Sequence, residues 1–340
     1  MDWKNNIRKL QIDLSSYCNA KCGSCIRNIY GDKTIPTLRL SHFDIELWNR
    51  LFIEDLVDIT LEKLSLNGNW GDPCMHPKLP QMMETILKYH PTMHISIATN
   101  GSMHTPDWWE KLGIAMANNP NSVDFAIDGL EDTHSIYRRG TDFNKIILNM
   151  KAFIKGGGYA SWMMTEFDHN CHQIDEAIKL AKEYGCGEFN LRQSHGYDML
   201  IKSDTEEYKI TVNNCSGKTL EVNFYESRLS TRFTEKKDTI CPWYNEGEIQ
   251  IDPWGYVHPC CHISGNSNPD VRVIGDKNKE LDDLFPYAEI NKKHGEFNNL
   301  HDNSLLDIIS HTWYTTELSN AVAERTWEVC TNSCGDGNDI

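Results

Sequence analysis

A chain of 340 residues, 39% hydrophobic and 10% aromatic, has apolar mass for one large or two ordinary domains, which excludes wholesale disorder. Its formal net charge of −16 opposes loose binding to a nucleic-acid backbone or an anionic membrane surface. No apolar run is long enough to cross a bilayer and the N-terminus has no signal-peptide core, so a cytoplasmic location is expected.

In chain order, strands and helices take turns. Leu10, Ile12 and Leu14 alternate with polar residues and predict a strand ending at Ser15-Ser16. Ser41-His42-Phe43-Asp44 predicts a capped helix running to about Leu56. Leu61, Leu64 and Leu66 predict a second strand, stopped by Asn67-Gly68, and Pro80–Tyr89 a helix. Met93, Ile95 and Ile97 form a third strand ended by Thr99-Asn100-Gly101, followed by a helix over Pro106–Met116 with proline in its first turn. Val123, Phe125 and Ile127 form a fourth strand ended by Asp128-Gly129, and Phe143–Ile154 is helical. Ala160–Thr165, Ile174–Tyr184 and Phe189–Arg192 complete the series as strand, helix and strand.

Six strand–helix units predict an α/β fold with a parallel sheet, a partial (β/α)6 TIM-like barrel over residues 1–200. Segment 201–235 reads as a polar, irregular connection. Residues 236–340, rich in Gly, Pro, Asn and Cys, read as a smaller C-terminal domain held partly by metal, with one helix over about Ser304–Arg325.

Twelve cysteines without a secretory signal favour metal or cluster ligation over a disulfide framework. Cys18, Cys22 and Cys25 follow the first strand at the spacing C-x3-C-x2-C. Three close thiols with no fourth nearby describe a cluster with one iron left open, whereas zinc and ordinary cubanes take four protein ligands. In parallel barrels the active site lies at the C-terminal ends of the strands. The triad, Asn67-Gly68-Asn69-Trp70-Gly71-Asp72-Pro73, Thr99-Asn100-Gly101 and Ala126-Ile127-Asp128-Gly129 all fall there, with His134 and Arg138-Arg139-Gly140 just beyond.

The triad and these loops resemble the radical S-adenosylmethionine (radical SAM) enzymes across about 200 residues. The resemblance implies a [4Fe-4S] cluster on Cys18, Cys22 and Cys25 whose open iron binds S-adenosylmethionine. The loop with Gly68, Asn69, Gly71 and Asp72 is similar to the family's Gly-Gly-Glu-Pro motif, which meets the methionine amino group, with Asp72 where Glu is usual. Thr99 and Asn100 match a signature after the third strand. Asp128 lies in a segment similar to Ser-Ile-Asp-Gly, with Ala126 in place of the serine. Arg138, or alternatively Arg139, stands where the family pairs the SAM carboxylate.

Cys241, Cys260, Cys330 and Cys334 resemble the SPASM and shorter twitch auxiliary domains. Five cysteines in this region, counting Cys261, imply the twitch form with one closed auxiliary [4Fe-4S] cluster, and zinc is the alternative. Cys260 rather than Cys261 suits the spacing. A closed cluster moves electrons, so the resemblance implies net two-electron oxidation or crosslinking of a peptide, a protein side chain or a small alcohol. An external flavodoxin- or ferredoxin-like reductant is implied, and nucleic acid is disfavoured. The first cysteine at residue 18 leaves no room for a leader-binding domain ahead of it, which weakens a ribosomal-peptide substrate. Cys74 is expected to be a small buried residue. Arg192, Gln193 and His195 follow the sixth strand and are candidates to face substrate. The competing reading is a non-catalytic iron–sulfur or zinc protein.

Overall fold

The computed structural model describes residues 1–117, 121–194, 199–211, 215, 219–224, 241–267 and 293–324. Six strands follow the predicted alternation: β1 (Lys9–Ile12), β2 (Lys63–Leu66), β3 (His94–Thr99), β4 (Ser122–Ala126), β5 (Tyr159–Glu166) and β6 (Glu188–Gln193). Helices Leu79–Tyr89, Pro106–Met116, Phe143–Lys155 and Ile174–Glu183 separate them from β2 onward. The first crossover helix is short, Ile45–Arg50, and runs into a π-helical turn at Leu51–Asp55. Its N-cap is Asp44, whose carboxylate accepts the Glu46 N–H.

The strands are short and strictly two-faced. Leu10, Ile12, Leu64, Ile95, Phe125 and Trp162 point to the helices and join one continuous core. Burying each contributes about 1.5–3 kcal/mol. The alternate residues line the inside of the barrel and, Met163 apart, are mostly polar or small, among them Gln11, Ser65, Ser96, Ala98, Asp124 and Ser161. Asn190 donates to Ser161 (2.8 Å) within this lining.

The parallel sheet has seven strands, one more than expected. Following the segment 201–235, β10 (Glu248–Ile251) pairs in parallel with β1, Ile249 opposite Leu10. Its residues alternate as Glu-Ile-Gln-Ile, and Ile249 and Ile251 are fully buried in the same core. Two further strands, β9 (Leu220–Asn223) and β11 (Val257–His258), add antiparallel edges. The full order is β9-β6-β5-β4-β3-β2-β1-β10-β11. Part of the C-terminal region thus completes the barrel sheet.

The segment expected to be an irregular connection also carries regular structure. Strands β7 (Met199–Lys202) and β8 (Glu207–Ile210) form an antiparallel hairpin. Met199, Ile201 and Ile210 pack on Ala20, Cys22, Tyr137 and Phe167, so the hairpin lies over the cysteine loop. The helix expected over Ser304–Arg325 is broken: Leu305–Ser310 ends at an extended His311, and Leu318–Glu324 follows a π-helical turn. Cys171 and Cys215 are disulfide-bonded, a pairing that the preference for metal ligation did not anticipate. A backbone hydrogen bond from Asp168 N to Thr211 O brings those two segments together.

Candidate functional site

The cysteine loop leaves β1 and is shaped from below by Arg27, which is only 3% exposed. Its guanidinium donates to Trp70 O (3.0 Å), Ser16 O (2.8 Å) and Cys18 O (3.4 Å). One side chain therefore ties the loop after β1 to the loop after β2. Sequence reasoning missed Arg27; its signal is an arginine two residues past the third cysteine.

Cys22 is buried, and Cys18 and Cys25 are half-buried. Desolvation pushes the Cys18 thiol up to about 12 and Cys25 to about 11, and raises Cys22 as well. Cys18 and Cys25 pack against the small apolar cluster that contains Cys22, which brings the three side chains together. Two donors point at them: Asn100 Nδ2 lies 3.7 Å from Cys18 Sγ, and Arg138 lies 3.6 Å from Cys22 Sγ. Among the described residues no three His, Cys, Asp or Glu side chains gather closely enough to hold a single metal ion. A cubane asks for a wider spread, because each thiolate takes a different iron.

The loop after β2 presses on the cysteine loop. A Cβ on Gly71 would lie 2.5 Å from both Ser15 O and Tyr17 O, so only glycine permits this approach. Asp72 N donates to Tyr17 O (2.8 Å). The Asp72 carboxylate is buried and fully engaged. It accepts from Cys74 N (2.9 Å), Thr99 Oγ1 (2.9 and 3.0 Å) and Asn100 N (2.8 Å). Burial raises its pKa against these donors. Asp72 and Thr99 thus lock the second strand-end loop to the third. Gly68 lies at the start of the same turn. Asn69 N donates to Asp13 Oδ1 (3.3 Å), while Asn69 Nδ2 and Trp70 Nε1 are buried without a partner among the described residues. Cys74 is fully buried in the main core, as expected of a small apolar residue.

After β4, Asp128 is wholly buried. It accepts from Thr165 N (2.6 Å) and pairs with Arg138 Nε (2.5 Å). His134 holds this turn. Its Nδ1 accepts from Asp128 N (3.2 Å), its Nε2 faces Thr141 Oγ1 (2.9 Å), and that hydroxyl donates to Arg138 O (2.6 Å). Burial drives the His134 pKa down to about 4, so the ring is neutral and Nε2–H donates. Arg139 turns away: it donates to Gly31 O (2.8 Å) and Tyr208 (2.9 Å) and pairs with Glu206, which fastens the β7–β8 hairpin. Of the two arginines, Arg138 is the one that reaches the cysteines.

The structure therefore gathers Cys18, Cys22, Cys25, Asp72, Thr99, Asn100, Asp128 and Arg138 at one rim of the barrel. The three close thiols, one buried and two half-buried, the donors aimed at two of them and the unpartnered Asn69 Nδ2 suit a cluster with a polar ligand beside it. Of the auxiliary set, Cys241 caps the short helix Pro242–Glu246 and Cys260 is buried after β11, with Cys261 half-buried beside it. Cys330, Cys334 and His195 lie outside the described residues. Arg192 and Gln193 end β6, with Arg192 on the same strand face as Asn190 of the barrel lining.

No protein-family model matches the chain. Solved structures do. Streptococcus suis SuiB bound to S-adenosylmethionine aligns with 94% of this chain and 67% of its own, at 15% identity and a TM-score of 0.56. SuiB bound to the precursor peptide SuiA aligns with 94% and 68%, at 16% identity and a TM-score of 0.56. The chain has the fold of the radical SAM enzymes. The anSMEcpe structure with bound AdoMet and the Cp18Cys peptide shares that fold at 15% identity and a TM-score of 0.56, over 91% of this chain and 82% of that one. The radical SAM fold agrees with the resemblance drawn from the cysteine spacing and the strand-end loops. No helix among the described residues is long and apolar enough to cross a membrane.

Proposed function

We propose that this protein is a radical SAM enzyme. Cys18, Cys22 and Cys25 hold a [4Fe-4S] cluster, and the surrounding strand-end loops hold S-adenosylmethionine. The observation that carries this reading is the convergence of the triad with the loops after β2, β3 and β4 at one rim. With its cofactor bound, such a cluster supplies an electron that splits S-adenosylmethionine into methionine and a 5′-deoxyadenosyl radical able to abstract hydrogen from carbon.

The chain's own residues divide the work. The backbone of Gly68–Gly71 and Asn69 offer polar contacts to the methionine end. Asp72, with both oxygens committed, sets the shape of that loop. Arg138 has one amino group that donates to no described residue, which suits a carboxylate. Asn100 and Asp128 fix the loops on either side. The β7–β8 hairpin shields the cysteine loop from water, a condition for holding a reactive radical.

The polar barrel lining supports a substrate that presents a polar group, and two of the similar structures are bound to peptides. We therefore favour a peptide or protein segment as substrate. Cys241 and Cys260, with Cys330 and Cys334, would hold one auxiliary [4Fe-4S] cluster, which would supply an electron acceptor for net two-electron oxidation or crosslinking of the substrate. A flavodoxin- or ferredoxin-like protein supplies the first electron. The chain divides into 1–200, 201–235 and 236–340, with β10 of the last part joining the barrel sheet.

Anaerobic reconstitution with iron and sulfide, then incubation with S-adenosylmethionine and dithionite, should release 5′-deoxyadenosine. Cys22→Ala should abolish it. A full cluster load without cleavage of the cofactor sinks the proposal, and zinc without labile sulfide favours the non-catalytic metal protein.

A further inference from the structure

Arg27 is the only lysine or arginine buried among the described residues. All its hydrogen bonds go to neutral carbonyls, those of Trp70, Ser16 and Cys18, and no carboxylate of the described residues pairs with it. Arg138, the other cation at the site, is already balanced by Asp128 at 2.5 Å. An uncompensated buried charge costs several kcal/mol, so a site that keeps one needs an anion nearby. Asp13, the buried acid on the adjoining strand end, is bonded to Asn69 N and Gln250 instead. What lies beside the guanidinium is the cysteine loop itself: its Nη1 donates to Cys18 O (3.4 Å), and Arg27 follows Cys25 by two residues.

On the radical SAM reading, we infer that Arg27 is a positioning residue with an electrostatic role as the built-in counter-ion of the cluster on Cys18, Cys22 and Cys25. A cubane carried on three thiolates is anionic, and more so after it takes an electron. Net charge and local hydrogen bonds set the potential of such clusters. A fixed cation behind Cys18 therefore stabilises the reduced form and makes the first electron easier to accept. The fork of carbonyl contacts holds the guanidinium in place, and lysine keeps the charge without the fork.

The test is a redox titration of the anaerobically reconstituted full-length protein, followed by electron paramagnetic resonance, for wild type, Arg27→Gln and Arg27→Lys. Arg27→Gln should make reduction about tenfold harder, a midpoint lower by about 59 mV for a one-electron couple. Arg27→Lys should restore most of that difference. A wild-type potential in Arg27→Gln at full iron load overturns the inference, as does a lysine variant that falls as far as glutamine. If Arg27→Gln keeps native far-ultraviolet circular dichroism yet takes up no cluster while Arg27→Lys does, the charge requirement stands. If Arg27→Gln loses its fold, Arg27→Met serves as the neutral variant: a midpoint lower by about 59 mV supports the inference and a wild-type potential overturns it. A wild type that takes up no cluster sinks the radical SAM reading itself, an outcome separate from indifference to Arg27.

Discussion

The two cysteine regions of this chain are built differently. The triad sits in one eight-residue loop, and its surroundings come from four strand ends: Arg27 below, Asn100 and Arg138 at the sulfurs, and Gly71 pressed on the backbone. Cys241 and Cys260 flank β10 and β11 at the sheet edge, and their proposed partners are about 70 residues further on. A local loop is pre-shaped by its scaffold before any iron arrives. A dispersed set depends on its metal to bring distant segments together. The first arrangement suits an exchangeable ligand on a fixed platform, and the second suits a closed centre that only passes electrons.

Iron counting is the most direct check on that contrast. Two cubanes give about eight irons per chain, and one gives about four. Cys22→Ala should fall to about half the wild-type iron and lose all 5′-deoxyadenosine formation. Cys260→Ala should lose a similar amount of iron while keeping cleavage of S-adenosylmethionine, and Cys261→Ala should change neither. Iron and deoxyadenosine assays on the three variants check this. Equal loss of cleavage in Cys22→Ala and Cys260→Ala would show that the regions are not separable.

A smaller effect concerns the scaffold. Thr99→Val keeps the shape of the side chain but removes the hydroxyl that donates to buried Asp72. Leaving that carboxylate short of a donor should cost about 1–3 kcal/mol in denaturant unfolding. S-adenosylmethionine binding should weaken with it, because the same bond joins two strand-end loops. Isothermal titration on the cluster-loaded variant would detect this. The comparable change in the C-terminal part, Ser304→Ala at the N-cap of Leu305–Ser310, should cost about 1 kcal/mol and leave cofactor binding untouched.

Much of the platform was legible because its signals are local. Alternating residues marked β1 to β6, and the motifs fell at strand ends where a parallel barrel puts its chemistry. What escaped was non-local. Glu248–Ile251 is four residues in a stretch rich in Gly, Pro and Cys, and its partner β1 lies more than 230 residues away. The β7–β8 hairpin escaped for a similar reason: its apolar residues are few, and their burial is visible only once the cysteine loop is in place beneath them. Asp72 shows a third kind of limit. Its motif position was plain, yet only the fold shows that protein donors occupy both oxygens.

The barrel lining supplies the subtlest test, because it sets the polar lumen against the rim. Asp124 faces inward on β4 beside Ser161, and burial, helped by Glu188, raises its pKa to about 6 in spite of Arg192 and Lys63. The sign follows from linkage. An acid whose folded pKa exceeds its unfolded value of about 3.9 binds its proton more tightly in the native state. Stability is therefore greatest below pH 4 for this group and is lost as pH rises through 6. The penalty at pH 7 is at most about 3 kcal/mol and is reduced by whatever water enters the lumen. Asp124→Asn removes the charge at nearly constant volume. It should raise the unfolding midpoint above pH 6 and bring no gain near pH 4, read by thermal melts across that range. A gain of equal size at both ends would mean that packing, and not charge, sets the cost of a carboxylate there. No gain at either end would mean that Arg192 and Lys63 already balance it, and the lumen would then be a charge-compensated site rather than one that tolerates a strained acid.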